Sequence, residues 1–423
     1  MFKHDGSLNV TYVPSHYPTG QYEGIRALTY DGPDTNGKKT KVFAYMGVPA
    51  GYDMDSEYDS KIPAMVLVHG GLGYAFLEWV KQWNDRGYAA ISICNVGLFP
   101  VRQGAGDREG AIFEDWTHEL CGVFAQDGYT VPPTYDDMQL SDNQSIDSMW
   151  MYHAVGQVLR AYDVIAALGC VDSQKVGLMG ISWGSVVTSI AIGYDNSYAF
   201  AMPVYGSGYL DEALSFMRFK FNVPRSKQMW LAQERFSNVN MPVLWLCMND
   251  DFAFSANSNS KSYADTCKNN SLTQLSIKSG WVHGHSCSWD TDNYECHEIY
   301  KFADAMTRDK GSFTYITQQE YNKEPEQEGT LSVIFTGENN SSVSYAATLY
   351  YQTDYEYAYT FPADIHKCYL AHKWKTAEAT VTSKDGGSFL AVARIPENTT
   401  YCYLEIAAKT DNIKYVVSSK FYS

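Results

Sequence analysis

Apolar residues along this chain follow two rhythms. Short unbroken runs at 62–69, 88–94, 175–181 and 241–247 have the length and composition of strands buried on both faces, and 41–49 alternates loosely enough to join them. Between these runs the spacing becomes helical. Phe76, Trp79, Val80 and Trp83 recur at three- and four-residue intervals across 75–86, and Gly87 supplies a C-terminal stop. A second helix is predicted over 148–168 and a third over 185–192. Strand, helix, strand in succession requires a crossover, hence a largely parallel sheet flanked by helices.

Two stretches break the pattern. Residues 97–143 are polar, Gly-rich and studded with aromatics, and a loop of that length in a compact domain predicts a functional segment at the mouth of a site. After a helix over 298–306 the composition changes, with a charged, Pro-containing stretch at 322–329. Short strands follow at 331–335, 346–351, 389–394 and 401–406, separated by turn residues. The expectation is an α/β catalytic domain over 1–312 and a small antiparallel β-sandwich over 313–423. A chain of 423 residues also exceeds what a single hydrophobic core ordinarily serves.

Composition narrows the function classes. An apolar share of 45% with 19% charged residues is that of a folded globular protein, and a formal charge of −16 disfavours a nucleic-acid partner, whose phosphates are bound by Lys and Arg. The first six residues contain no apolar leader core, and no later run is long enough to span a bilayer, so no membrane partner is expected. Nine cysteines without a CxxC pair fit reduced thiols and a cytoplasmic location, or a secreted one if a leader had been removed. No pattern speaks to oligomeric state.

The chemistry concentrates in three places. Gly180-Ile-Ser-Trp-Gly184 matches the G-x-S-x-G turn, with a buried strand before it and a helical pattern after it, the context that lifts Ser182 above the sheet edge as a nucleophile. The backbone N–H of Trp183 then becomes one oxyanion donor. His69-Gly-Gly-Leu-Gly73 supplies the second, from Gly71 or alternatively Leu72, and His69 itself reads as structural. A serine needs a base, and the base needs a carboxylate, in the chain order Ser, acid, His. Asp251 is the expected acid, with Asp250 its competitor in Asn249-Asp-Asp-Phe252. His283, His285 and His297 are the later histidines, the first two in a Gly-containing loop before a helix. A metal reading of His283, His285 and Cys287 lacks a second ligand cluster, so neither metal nor cofactor is called for. Trp116, Trp183 and Trp289 are candidates to line a substrate pocket, against the commoner role of packing.

With these residues in place, the chain resembles the acetylxylan esterase and dienelactone-hydrolase-like group of α/β-hydrolases. The resemblance covers roughly residues 24–306 and rests on His69-Gly-Gly, Trp79-Val-Lys-Gln-Trp83 with Arg86-Gly-Tyr-Ala-Ala90, Gly180-Ile-Ser-Trp-Gly184, Pro203-Val-Tyr-Gly-Ser-Gly208, Asn249-Asp-Asp-Phe-Ala-Phe254 and His283-Gly-His285. It implies the α/β-hydrolase fold, a Ser182, Asp251, His285 triad, and hydrolysis of small acyl esters, such as acetyl groups on an oligosaccharide like acetylated xylan. It also implies that the tail is the β-sandwich attached to some members. Three positions depart from the pattern: Asn95 where many members carry aspartate, Ser185 for a second glycine, and Ser255 for proline. Two other function classes stand beside this one. A serine peptidase of the prolyl-oligopeptidase-like type would ordinarily carry a repeat-built propeller, and no repeat precedes His69. A non-catalytic carbohydrate-binding scaffold would use the Tyr-rich tail for stacking, where core packing is the commoner use.

Overall fold

The computed structural model describes residues 8–102, 116–120, 129–130, 132–133, 139–221, 223–281, 283–284, 296–308, 311–338, 342–353, 374–410 and 413–423. The chain forms two compact units, Met1–Ala201 with Phe221–Trp230, and Met202–Lys220 with Leu231–Ser423.

The first unit is built on strands β1 (Thr11–Tyr12), β2 (Arg26–Thr35), β3 (Lys38–Gly47), β4 (Ile62–Val68), β5 (Ala89–Ile93) and β8 (Val171–Ile181), arranged β1-β2-β3-β5-β4-β8. A small hairpin, β6 (Leu98–Arg102) with β7 (Trp116–Leu120), stands apart from this sheet. β1, β2 and β3 are antiparallel and β3 meets β5 antiparallel, whereas β5, β4 and β8 run parallel. The parallel strands are the unbroken apolar runs: Val66, Leu67, Val68, Ile91 and Leu178 are wholly buried. Helices α1 (Leu77–Asp85), α2 (Trp150–Ala166) and α3 (Trp183–Tyr194) lie close to the expected spans, and α4 (Pro224–Trp230) completes the unit. α1 buries Leu77, Trp79, Val80 and Trp83 and stops as expected, with Gly87 at φ 83° donating its N–H to Asn84 O at 2.9 Å.

Strand β9 (Phe200–Val204) passes from one unit into the other. In the second unit Val204 pairs with Leu246 of β10 (Leu244–Met248), which runs parallel to β11 (Gln274–Lys278). Helix α5 (Ala256–Thr266) lies between these two strands in sequence, and α6 (His297–Thr307) follows them. The antiparallel strands begin at Tyr315, near the expected change of architecture, but their compact unit reaches back to Met202. They are β12 (Tyr315–Asn322), β13 (Gly329–Thr336), β14 (Ser344–Gln352), β15 (Lys375–Ser383), β16 (Ser388–Ile395), β17 (Tyr401–Lys409) and β18 (Lys414–Ser418), ordered β12-β13-β16-β15-β14-β17-β18. β15 makes the corner: its first half, to Ala379, pairs with β14, and its second half, from Thr380, pairs with β16. A strand that changes partners in this way joins two sheets into the sandwich the turn spacing predicted.

The sandwich also finishes the edge of β11. Ile316 exchanges hydrogen bonds with the Gln274 side-chain amide, and Ile277 donates its N–H to Ser418 Oγ at 3.0 Å. Side chains thus supply bonds that another strand would otherwise make.

Several elements had no matching expectation. The β2–β3 hairpin turns on Asn36-Gly37, both at positive φ (49° and 72°), the residue pair such a turn requires. Helix α5 has no continuous apolar stripe because its buried face carries Ser258, Ser262 and Thr266 beside Ala256 and Tyr263. These groups bond within their own helix: Ser258 to Ser255 O, Ser262 to Ser258 O and Thr266 to Ser262 O, at 2.8–2.9 Å. Satisfied in this way, polar residues can be buried without a hydrophobic signal.

Candidate active site

β8 delivers Ser182 at the mouth of a turn too tight for ordinary backbone. The residue sits at φ 58° and ψ −121°, and α3 starts at the next residue, with Ser185 and Val186 donating their N–H groups back to Ser182 O. A side chain held in so sparsely populated a region signals a surrounding structure that imposes it. The two flanking glycines show how. A Cβ on Gly184 would lie 2.3 Å from Val68 O and 2.4 Å from His69 O, and one on Gly180 would lie 2.2 Å from Gly184 O. The start of α3 therefore rests directly on the end of β4, which only glycine permits.

The fold is that of an α/β-hydrolase. Its strand order about β4 and β8, with a strained serine between β8 and α3, is the arrangement the sequence resemblance implied.

The loop after β4 lies against this turn. Gly73 N–H closes on Gly70 O at 3.2 Å with exposed Leu72 at φ 62°, and a Cβ on Gly71 would be 3.1 Å from Trp183 Cδ1. His69 is buried and structural, as expected. Its Nε2 accepts the Asn95 N–H at 3.1 Å, so Nδ1 carries the proton and donates to Gly70 O at 2.7 Å. Asn95 also donates its side-chain amide to His69 O at 3.1 Å and accepts Trp150 Nε1–H at 2.7 Å on its own backbone oxygen. An aspartate at position 95 could not donate that first bond, which accounts for the departure from the family pattern here. At Ser255 the φ of −63° is the value proline would impose, so that departure leaves the backbone unchanged.

In the second unit, β10 ends in the loop that carries Asp250 and Asp251. Asp251 is buried; its Oδ1 accepts the N–H groups of Ala253 at 2.7 Å and Phe254 at 2.9 Å, and its Oδ2 pairs with His283 Nδ1 at 2.9 Å. Three donors offset the desolvation of the carboxylate. The carboxylate accepts only, so Nδ1 carries a proton and donates it to Asp251. Aromatic rings hold the imidazole: Tyr205 at 4.5 Å between centroids, Phe252 at 5.3 Å and Phe254 at 5.9 Å, the last nearly coplanar. Tyr205, itself at φ 43°, donates its hydroxyl to Gly284 O at 2.8 Å and so fastens the backbone beside His283.

Asp251 is bonded to His283, whereas His285, the histidine implied by the resemblance, lies outside the described residues. Asp250, the competing acid, turns elsewhere: its Oδ1 accepts Trp374 Nε1–H at 2.8 Å, and burial pushes its carboxyl up to about 7 despite that bond. Trp289 and Cys287 lie outside the described residues, and of Trp116 only the backbone, in β7, is described. His297 opens helix α6. Tyr205 was not singled out as a site residue, although it lies in the Pro203–Gly208 motif. Trp374 carries no local signal, since its partner is 124 positions away.

Among the described residues no group of three or more His, Cys, Asp or Glu side chains could hold a metal ion, and no helix is long and apolar enough to cross a membrane. The six described cysteines are unpaired.

No family model and no curated protein matches the chain. Among solved structures it is similar to an acetyl xylan esterase from Paenibacillus sp. R4, 17% identical, with TM-score 0.47 over 70% of this chain and 89% of that one. An acylaminoacyl peptidase from Pyrococcus horikoshii is 13% identical, with TM-score 0.46 over 69% of this chain; the chain spans 43% of its length. Acetyl xylan esterase 1 from Thermoanaerobacterium sp. JW/SL YS485 is 12% identical, with TM-score 0.46 over 71% of this chain and 88% of that one. The reading of individual residues rests on the geometry above.

Proposed function

We propose that the protein is a serine hydrolase that cleaves small acyl esters, acetyl esters of carbohydrates first among them, with Ser182 as nucleophile, His283 as base and Asp251 as its orienting acid. The observation that carries this reading is the buried Asp251–His283 pair, in which the carboxylate holds Nδ1–H and so orients the imidazole. The strained turn at Ser182 supports it from the other side of the reaction. In this reading Ser182 Oγ attacks the ester carbonyl carbon as its proton passes to His283 Nε2. The oxyanion is held by backbone N–H groups of Trp183 and Gly71, each such donor lowering the barrier by about 3 kcal/mol. The imidazolium then protonates the departing alcohol, and water, activated by the same Nε2, hydrolyses the acyl-enzyme. The choice of small acyl groups follows from the motif series that resembles the acetylxylan esterase group.

The test is hydrolysis of p-nitrophenyl acetate, butyrate and octanoate by wild type and Ser182→Ala, with acetate release from acetylated xylan measured in parallel. Acetate-selective turnover that falls by about 10³-fold or more in Ser182→Ala supports the reading. Turnover of peptide substrates but not esters would replace it with a peptidase, and no turnover of either would overturn it.

A further inference from the structure

The loop that carries the acid is bonded on its far side to the sandwich. Asp250 Oδ1 accepts Trp374 Nε1–H at 2.8 Å, and Asn249 donates its side-chain amide to Tyr403 Oη at 3.2 Å. Asn249 also donates its backbone N–H to Lys278 O at 3.1 Å. The indole is itself held edge-on, against Tyr403 at 5.5 Å and Phe421 at 6.0 Å between centroids, and Tyr403 is wholly buried. Asp251 is the next residue in the chain. We infer that Trp374 is a positioning residue for the Asp251–His283 pair, acting through Asp250, so that the β-sandwich is part of the reaction apparatus rather than an appendage.

The inference rests on the reading of Asp251 and His283 as acid and base. Its physical basis is short-range. Asp251 spends one oxygen on the Ala253 and Phe254 amides and the other on His283, so the direction of its carboxylate follows the backbone of this loop. Two successive side chains before it, Asn249 and Asp250, tie that backbone to the sandwich. An indole N–H aimed at a carboxylate is a charge-assisted bond, stronger than a neutral one and more directional than apolar packing. Burial pushes the Asp250 carboxyl up to about 7, and the indole bond acts in the opposite sense, favouring the charged form.

The decisive variant is Trp374→Phe, which keeps a ring and deletes the donor. We expect kcat on p-nitrophenyl acetate to fall about tenfold with KM changed less than about twofold, because the loss falls on orientation and not on substrate binding. The low-field proton resonance of His283 Nδ1–H should shift or broaden. Adding Asp250→Asn to Trp374→Phe should lower kcat by no more than about a further twofold, because both substitutions break the same bond. Unchanged kcat and resonance in Trp374→Phe would overturn the inference. Losses from Trp374→Phe and Asp250→Asn that multiply in full in the double variant, accompanied by a lower Tm, would reduce Trp374 to packing independent of Asp250 and overturn it too. If wild type hydrolyses no ester, the hydrolase reading fails on its own, and the resonance alone decides whether Trp374 positions the pair. Should Trp374→Phe fail to fold, Asp250→Ala deletes the acceptor of the same bond with the sandwich intact, and the same fall in kcat and the same spectral change are expected.

Discussion

Glu405, on strand β17, is a carboxylate in a place that does not suit its charge. Nearby, Glu298 is fully buried and already satisfied: Lys278 Nζ bonds both its oxygens at 2.9 Å, and Val416 donates its N–H to Oε1 at 2.8 Å. One buried ammonium thus serves the first carboxylate, and Glu405 adds a second negative charge to the same neighbourhood. Burial, opposed by Lys414 and augmented by Glu298, raises its pKa from 4.5 to about 7. Unfolded, Glu405 sheds its proton near 4.5; folded, it keeps it until about 7. Between those values the native state binds more protons, so this group lowers stability as pH rises, with the full penalty present above about pH 7. The shift of about 2.5 units, at 1.36 kcal/mol each, amounts to roughly 3 kcal/mol. Glu405→Gln cannot ionise. Its stability relative to wild type should therefore rise by about 3 kcal/mol between about pH 4 and about pH 8, levelling off beyond about 7. Urea unfolding at several pH values, followed by tryptophan fluorescence and compared at a common m-value, measures this directly. A difference between the two proteins that stays constant from about pH 5 to about pH 8 would refute the reasoning, since it would mean that Glu405 is ionised, or neutral, at both ends.

Two further comparisons test the site. Gly184→Ala places a Cβ within 2.4 Å of backbone oxygens of Val68 and His69, whereas Gly71→Ala meets only Trp183 Cδ1 at 3.1 Å. The first should cost about 3 kcal/mol in urea unfolding and abolish ester turnover, and the second should cost less than about 1 kcal/mol and lower kcat modestly; equal effects would contradict the packing argument. His283→Ala should reduce kcat by about 10³-fold or more, while His285→Ala leaves turnover within about tenfold of wild type; the reverse order in steady-state kinetics would return the base to His285.

How much of this was legible beforehand depended on the range of the interaction. The strands at 62–68 and 89–93, helices α1, α2 and α3, the turn at Ser182 and the structural role of His69 are each carried by neighbours in sequence. Apolar period, a Gly-flanked serine and the spacing of turn residues suffice for them. Helix α5 escaped because buried hydroxyls bonded to carbonyls of their own helix look like a polar loop. Strand β12 escaped because its alternation runs through glutamines and tyrosines, with only Ile316 buried as an apolar anchor.

The site divides along the same line. The sequence alone determined the turn that presents Ser182, the proposed nucleophile, since its glycines are required by contacts within a few residues and with the preceding parallel strand. It narrowed the acid to Asp250 or Asp251 and the nearby base to His283 or His285, and went no further, because adjacent and alternate residues share their composition and differ only in direction. That choice is tertiary. Backbone amides of Ala253 and Phe254 orient Asp251 toward His283, while an indole from the distant sandwich takes Asp250, and no pattern local to either loop records the direction in which those partners lie.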